Sequence, residues 1–198
     1  MFEAVESGTS DGEYATWEAS QPVVVLGRNI PAAAWVDQAA CRRDGIDVLR
    51  RCSGGGAVVL GHGCLNYAVA IPIISRPELV DVGASIRFVL QHIVDALSVP
   101  GLAVAGDADL VLGALKVSGN AQRRGRRAIL QHGTLLYDFD SQLAVRYLLE
   151  PPHQPTYRRT RRHDRFITNL PITRVAAAQR LARACAAIMA SSQRACAR

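Results

Sequence analysis

Short apolar runs alternate with stretches of helical periodicity along the chain. The runs at Val23–Leu26, Ile46–Leu49, Ala57–Leu60, Tyr67–Ile73, Leu110–Leu112 and Ile129–Leu136 are bounded by Gly, Pro or charged residues, and most are rich in β-branched side chains, so they predict strands. Gly83–Leu97 predicts a helix, because Ile86, Val89, Leu90, Ile93 and Leu97 fall on one face with Gln91 and Asp95 opposite. A shorter helix is expected from about Ala33 to Arg43, ending near Gly45. Thr173, just after Pro171, is placed to N-cap a C-terminal helix whose Val175, Ala178, Leu181, Cys185 and Ile188 form one stripe. Residues 191–198 are expected to fray.

Glu150–Leu170 breaks this pattern: it is rich in Pro and Arg, has little periodicity, and reads as a long ordered surface loop of the kind that often carries function. There is no internal repeat and no low-complexity linker. Hairpin-like strands with separate helices predict an α+β fold with a mixed or antiparallel sheet, and 198 residues fit a single domain.

Composition narrows the function classes. Hydrophobic residues make up 49% of the chain, enough for a core, yet no window approaches the ~18 consecutive apolar residues that span a bilayer. Residues 1–20 are acidic and polar, without a basic region followed by an apolar one, so a cytoplasmic protein without a membrane partner is expected. The five cysteines are scattered and never in C-x-x-C spacing, which argues against a disulfide framework or a zinc site. Cys41 and Cys185 sit in apolar-periodic stretches and read as small buried hydrophobes. The net charge of +6 comes almost wholly from arginine: among 23 basic residues Lys116 is the only lysine. A compact ammonium differs from a forked guanidinium in reach and hydration, so this exception marks a candidate ligand site, with a chance survivor as the alternative.

Two segments carry candidate chemistry. Arg50–Ile73 contains Gly54, Gly55 and Gly56 between strand-like runs. Such a turn leaves backbone N–H groups uncovered for a phosphate or carboxylate, with Arg50 and Arg51 at its entrance; a hairpin turn with solvated arginines is the plain alternative. It is neither a Walker A loop nor a dinucleotide-binding glycine pattern. Leu115–Asp140 places Lys116 before Ser118, Gly119, Asn120 and Gln122, then a basic turn at Arg123–Arg127, then a strand holding Gln131, His132, Gly133 and Thr134. Polar side chains in an apolar sheet are costly unless paired or facing a ligand. Taken alone, His132 reads first as an ordinary satisfied histidine and Arg123–Arg127 as a solvated turn.

In order, RRCSGGGAVVLGHGCLNY, KVSGNAQ and QHGTLL resemble the lipoate–protein ligase group of the biotin/lipoate ligase superfamily. VVVLGRN upstream is similar to the strand and loop that open that family's pocket, and PTYRRTRRHDRF to a basic segment of some members, so the likeness runs from about Trp17 to about Leu170. The resemblance implies a class II aminoacyl-tRNA-synthetase-like catalytic domain, with a mixed sheet flanked by helices. It implies a two-step reaction: ATP, carrying Mg²⁺, activates lipoate as lipoyl-AMP, and a lysine of a lipoyl carrier protein or domain takes the acyl group. By position, Lys116 matches the lysine that contacts the lipoyl carboxylate and the α-phosphate. Arg50, Arg51, Ser53, Gly54, Gly55, Gly56, Ala57 and Asn66 match the glycine-turn segment beside the adenylate. Ser118, Gly119, Asn120, Gln122, His132, Gly133 and Thr134 fall in matching pocket segments, and Arg28 at the pocket edge; no side-chain metal cluster is implied.

Lipoyl carriers are often acidic, so the basic loops at Arg123–Arg127 and Arg158–Arg165 are expected to steer docking. Nucleic acid is not an expected partner, since interleaved aromatics and a recognised motif are missing. The small C-terminal accessory domain of many bacterial ligases is not expected here; either a separate accessory protein supplies it or none is needed. The runner-up is an octanoyl or lipoyl transferase of the same superfamily, whose cysteine-dependent branch uses a thiol before the lysine motif. Asp95 to Leu115 has no cysteine. A pocket that binds acyl groups without turnover is the third reading.

Overall fold

The computed structural model describes residues 1–73 and 76–196. Strands β1 (Glu13–Glu18), β5 (Cys64–Pro72), β9 (Ala128–Leu136), β8 (Leu115–Arg124), β7 (Asp109–Leu112) and β6 (Leu102–Ala105) form, in that spatial order, a six-stranded antiparallel sheet. A smaller sheet orders β3 (Val48–Arg50), β2 (Val23–Leu26) and β4 (Ala57–Leu60), with β2 parallel to β3 and antiparallel to β4.

Two helices, α3 (Val82–Leu97) and α6 (Arg174–Cys196), cover one face of the large sheet. The expected stripes of α3 and α6 pack there against Leu65, Tyr67, Val69 and Ile71 of β5 and Ile129 and Leu135 of β9, except Val175, which lies in the first turn of α6 and is exposed. Each such aliphatic side chain, fully buried, contributes roughly 1.5–3 kcal/mol. Thr173 caps α6 through the Ala176 N–H at 3.3 Å, as the sequence suggests, and Asp81 caps α3 by accepting from the Ala84 N–H at 2.7 Å. The end expected to fray is helical as far as Cys196, and residues 197–198 lie outside the described ones.

The opposite face carries the small sheet with α2 (Gln38–Asp44) and α4 (Ser141–Tyr147), around Val24, Leu26, Val36, Val59, Cys64, Leu136 and Phe139. The single helix expected over Ala33–Arg43 is divided into a 3₁₀ turn at Ala32–Ala34 and α2. Val36 bridges to Leu148 and Asp37 restarts the helix as its N-cap, 2.8 Å from the Ala40 N–H; Gly45 ends it in the left-handed region at φ 68°. Helix α1 (Phe2–Ser7) docks on the β8–β9 turn, where Glu6 accepts from the N–H groups of Arg126, Arg127 and Ala128. The loop expected over Glu150–Leu170 contains a 3₁₀ turn at Thr156–Arg158 and a short helix, α5 (His163–Phe166). Among the described residues no helix is long and apolar enough to cross a membrane.

Candidate active site

The glycine turn is folded over the end of β2. Gly27 donates to the Gly56 carbonyl at 3.0 Å and Arg28 to that of Ser53 at 2.8 Å, while a β-carbon on Gly27 would stand 1.9 Å from Gly55 O. Gly55 takes φ +90°, and the Trp35 ring lies so close to Gly56 that a β-carbon there would meet it at 2.5 Å. The N–H groups of Gly54, Gly55 and Gly56 have no acceptor among the described residues, so they stay available to an anion. Arg51 braces the turn, donating to Gly54 O at 2.7 Å and Ser53 Oγ at 3.1 Å.

Strand β8 changes partners midway. Residues 120–124 pair with β9, whereas 115–119 pair with β7 across a bulge at Leu110/Val111 that leaves Val117 unmatched. The Lys116 side chain lies over Gly119, where a β-carbon would be 2.9 Å from both Cε and Nζ, and its ammonium reaches Asp109 Oδ1 at 2.7 Å. Asp109 Oδ2 accepts from the Tyr157 hydroxyl at 2.6 Å; burial, then the Asp109 charge, push that phenol's pKa up, so it remains a donor. Asp109 and Tyr157 are absent from the expected site. The acidic Asp107–Asp109 stretch just before the lysine motif is the signal that could have pointed to them.

His132 stands between Ala68 and Ala121 on neighbouring strands, whose small side chains leave its ring room. Ser53 Oγ accepts from the Arg51 guanidinium at 3.1 Å and lies 2.6 Å from His132 Nε2, a contact in which the hydroxyl can donate or accept. Burial, reinforced by the Arg51 charge, lowers the His132 pKa to about 4. Unfolded histidine titrates near ~6.5, so the unfolded chain holds more protons between these values and this group's stabilisation is lost as pH falls through that window. In an NMR titration the His132 ring is expected to stay neutral down to about pH 5; protonation near 6.5 would contradict this environment.

These elements enclose a cavity of about 660 Å³. Its polar lining includes Arg51, Gly55, Gly56, Lys116, Asp109 and His132, and its apolar lining includes Val59, Leu136, Phe139, Leu148, Phe166 and Ile167. Ala57, Asn66, Ser118, Gly119, Asn120, Gly133 and Thr134 also line it, so twelve of the expected residues meet in one place. Five do not line it. Ser53 lies behind His132, and Gly54 sits at the outer side of the turn without reaching the cavity wall. Arg28 is exposed, and Arg50 donates to the carbonyls of Gly27, Arg28 and Ile30, bracing the loop. Gln122 points to the helix-covered face, bonded to Ser85 and Gln131, because it follows Ala121 on a strand whose side chains alternate. Asn120 is held by Tyr67, Ser118 and Ala108, which makes it a brace for the wall.

The arginine segments divide the same way. Arg158 is only 4% exposed: it pairs with Glu150 at 2.7 Å and lies 4.8 Å from the Phe166 ring centroid. Arg161 donates to the carbonyls of Ala114, Tyr157 and Arg158. Both hold the loop together, which corrects their place on the expected docking face; Arg159, Arg162 and Arg165 are the exposed members. In the other basic turn, Arg123 pairs with Glu3 and Arg124 bonds back to Val80 and Ser85, leaving Arg126 and Arg127 exposed.

Comparison with known proteins gives a consistent family. The lipoyl protein ligase A/B catalytic domain matches residues 1–186. Lipoate-protein ligase LplJ of Bacillus subtilis is 30% identical over 128 residues, which are 64% of this chain and 37% of that protein. The octanoyl-[GcvH]:protein N-octanoyltransferase of Geobacillus kaustophilus is 32% identical over 136 residues, 64% of this chain and 48% of that protein. The chain therefore spans less than half the length of these relatives. A bipartite lipoate protein ligase of Thermoplasma acidophilum, solved in a study that includes its E2 lipoyl domain, superposes with TM-score 0.75 over 92% of this chain and 74% of that one, at 21% identity, and shares the fold.

Proposed function

Because this chain belongs to the lipoyl protein ligase A/B catalytic-domain family, we propose that it activates lipoate with ATP and passes the lipoyl group to a lysine of a lipoyl carrier domain. The observation that carries this reading is the meeting, in one cavity, of the chain's only lysine and the glycine-turn residues Gly55 and Gly56 with their uncovered N–H groups, together with apolar side chains. The apolar lining suits the acyl chain and the polar lining its carboxylate. In the first step a carboxylate oxygen bonds to the α-phosphorus of ATP and the bond to pyrophosphate breaks. Negative charge builds on the phosphoryl oxygens, where the Lys116 ammonium and the turn amides can stabilise it. In the free protein Asp109 holds that ammonium in place until a substrate anion competes for it.

Mg²⁺ belongs to this proposal as an ion carried by the nucleotide phosphates. Among the described residues no group of His, Cys, Asp and Glu is built to hold a metal alone, whereas Asp107 and Asp109 face the cavity with oxygen ligands of the kind Mg²⁺ accepts.

The test is mass spectrometry of the purified protein after incubation with Mg-ATP and lipoate, looking for lipoyl-AMP and pyrophosphate. Both are expected; if neither forms, with or without a candidate accessory protein like the second part of the Thermoplasma ligase, the ligase reading fails. The Geobacillus relative favours acyl transfer as the second reading, and turnover of an octanoyl carrier-protein thioester without ATP would establish it. Against its thiol-dependent form, no cysteine is among the described cavity residues, and burial, with the nearby Glu18 charge, pushes the Cys64 thiol up to about 12.

Docking of an acidic carrier falls to the exposed Arg159, Arg162 and Arg165. Reversing these charges to Glu is expected to slow lipoyl transfer several-fold, most at low salt, while adenylation stays unchanged. Equal loss in both steps would remove them from docking.

A further inference from the structure

Two histidines of the cavity lining, half-buried His132 and buried His163, each have one ring nitrogen engaged. The partner of His132 Nε2 is the Ser53 hydroxyl, which can donate or accept. His163, the first residue of α5, has Nε2 3.2 Å from the carbonyl oxygen of Leu149. A carbonyl only accepts, so Nε2 carries the proton and Nδ1 is a bare lone pair. That Nδ1 has no hydrogen-bond partner among the described residues and is not sealed in, and the ring lines the cavity. The backbone brings this ring to the reacting end. Ile167 pairs with Lys116 in a parallel bridge, Thr168 donates to Lys116 O at 2.9 Å, and Ile167 donates to His163 O at 3.0 Å.

Acyl transfer requires such a group. As an amine attacks the mixed anhydride it must lose a proton, and the other candidates away from open solvent are engaged. Lys116 and the Tyr157 hydroxyl engage the two oxygens of Asp109, Glu150 is paired with Arg158, and His132 Nε2 is engaged by Ser53, while Asp107 and His153 line the cavity from exposed positions. We propose that His163, through Nδ1, accepts the proton of the acceptor lysine during transfer. This rests on the ligase reading above. The amine nitrogen bonds to the acyl carbon, the carbon–oxygen bond to AMP breaks with its electron pair leaving on the phosphate, and the amine proton moves to Nδ1. The imidazolium then returns that proton to solvent. Burial keeps the ring's pKa below the ordinary histidine value; the Arg158 and Lys116 charges add to this and Glu150 opposes it, so the lone pair is free at neutral pH. The negative phosphate beside it during transfer favours the imidazolium.

His163→Gln tests the assignment, since its amide N–H can keep the bond to Leu149 O while offering no basic nitrogen. Adenylation is read as pyrophosphate release, and transfer as lipoylation of a purified E2 lipoyl domain by preformed lipoyl-AMP, for wild type and variant. The variant is expected to form adenylate within about threefold of wild type and to transfer 10²–10⁴-fold more slowly, roughly the contribution of a positioned base. The deficit should narrow as pH approaches about 10, where the acceptor amine deprotonates unaided. Transfer at the wild-type rate, an equal loss in both steps, or a deficit that ignores pH would overturn the proposal. A wild-type protein that makes no lipoyl-AMP instead overturns the ligase reading, and this inference with it.

Discussion

Lys116→Ala is expected to leave the protein folded and to abolish measurable lipoyl-AMP formation, a loss of at least about 10²–10³-fold. That is the effect, about 3–4 kcal/mol, of removing one positioned donor from an oxygen where charge develops. The fold should tolerate the change because Lys116 is 25% exposed and its single ion pair, to Asp109, leaves a carboxylate that still has the Tyr157 hydroxyl. Lys116→Arg should recover little. The ammonium fits a slot floored by Gly119 and closed by Asp109, and a planar fork cannot place its charge at the same point. Pyrophosphate release with thermal melting as a control reads both quantities. Near-normal release in the alanine variant would take Lys116 out of the chemistry.

Gly133→Ala should have the largest effect on stability among the cavity residues. Tyr67, Gly133 and Asn120 are directly opposed on β5, β9 and β8, and the Tyr67 hydroxyl reaches over the glycine to Asn120 Oδ1 at 2.7 Å. A β-carbon on Gly133 would stand 1.8 Å from that oxygen and 2.9 Å from the backbone oxygen of Gly119. Asn120 would have to leave, opening its 2.8 Å bond to Ala108 O and stranding the hydroxyl of a fully buried tyrosine. Overpacking combined with an orphaned polar group costs about 2–4 kcal/mol, or roughly 5–15 °C in melting temperature for a chain of this size. Adenylation should fall too, because Ala108 and Asp109 set the wall beside Lys116. A melting temperature within about 2 °C of wild type would show that the row repacks freely.

Much of this architecture is legible without coordinates. The stripe of α3, the Thr173 cap and the runs of β2 and β4 were readable because helix and strand periods are local properties of consecutive side chains. The glycine turn and Lys116 were readable because few residue types leave backbone amides bare or place a compact cation among small neighbours. Strand β8 was not: LKVSGNAQRR has no apolar alternation, since its polar groups face a cavity on one side and include on the other Gln122, bonded to buried Gln131. Nor was β1 at the sheet edge, where Tyr14 and Trp17 are exposed and the alternation is weak.

The sequence by itself therefore determined the local elements, the two motif segments and the residue types able to bind an anion. Only the tertiary structure decided how these residues were used. Pairing between strands far apart in the chain set the parity that turns His132 inward and Gln122 away. The bulge in β7–β8 aimed Lys116 at Asp109, and packing around Phe166 made Arg158 a buried brace while leaving Arg159 in water. The reason is geometric: a one-residue shift in register sends a side chain to the opposite face, and register is fixed by partners that local sequence does not contain.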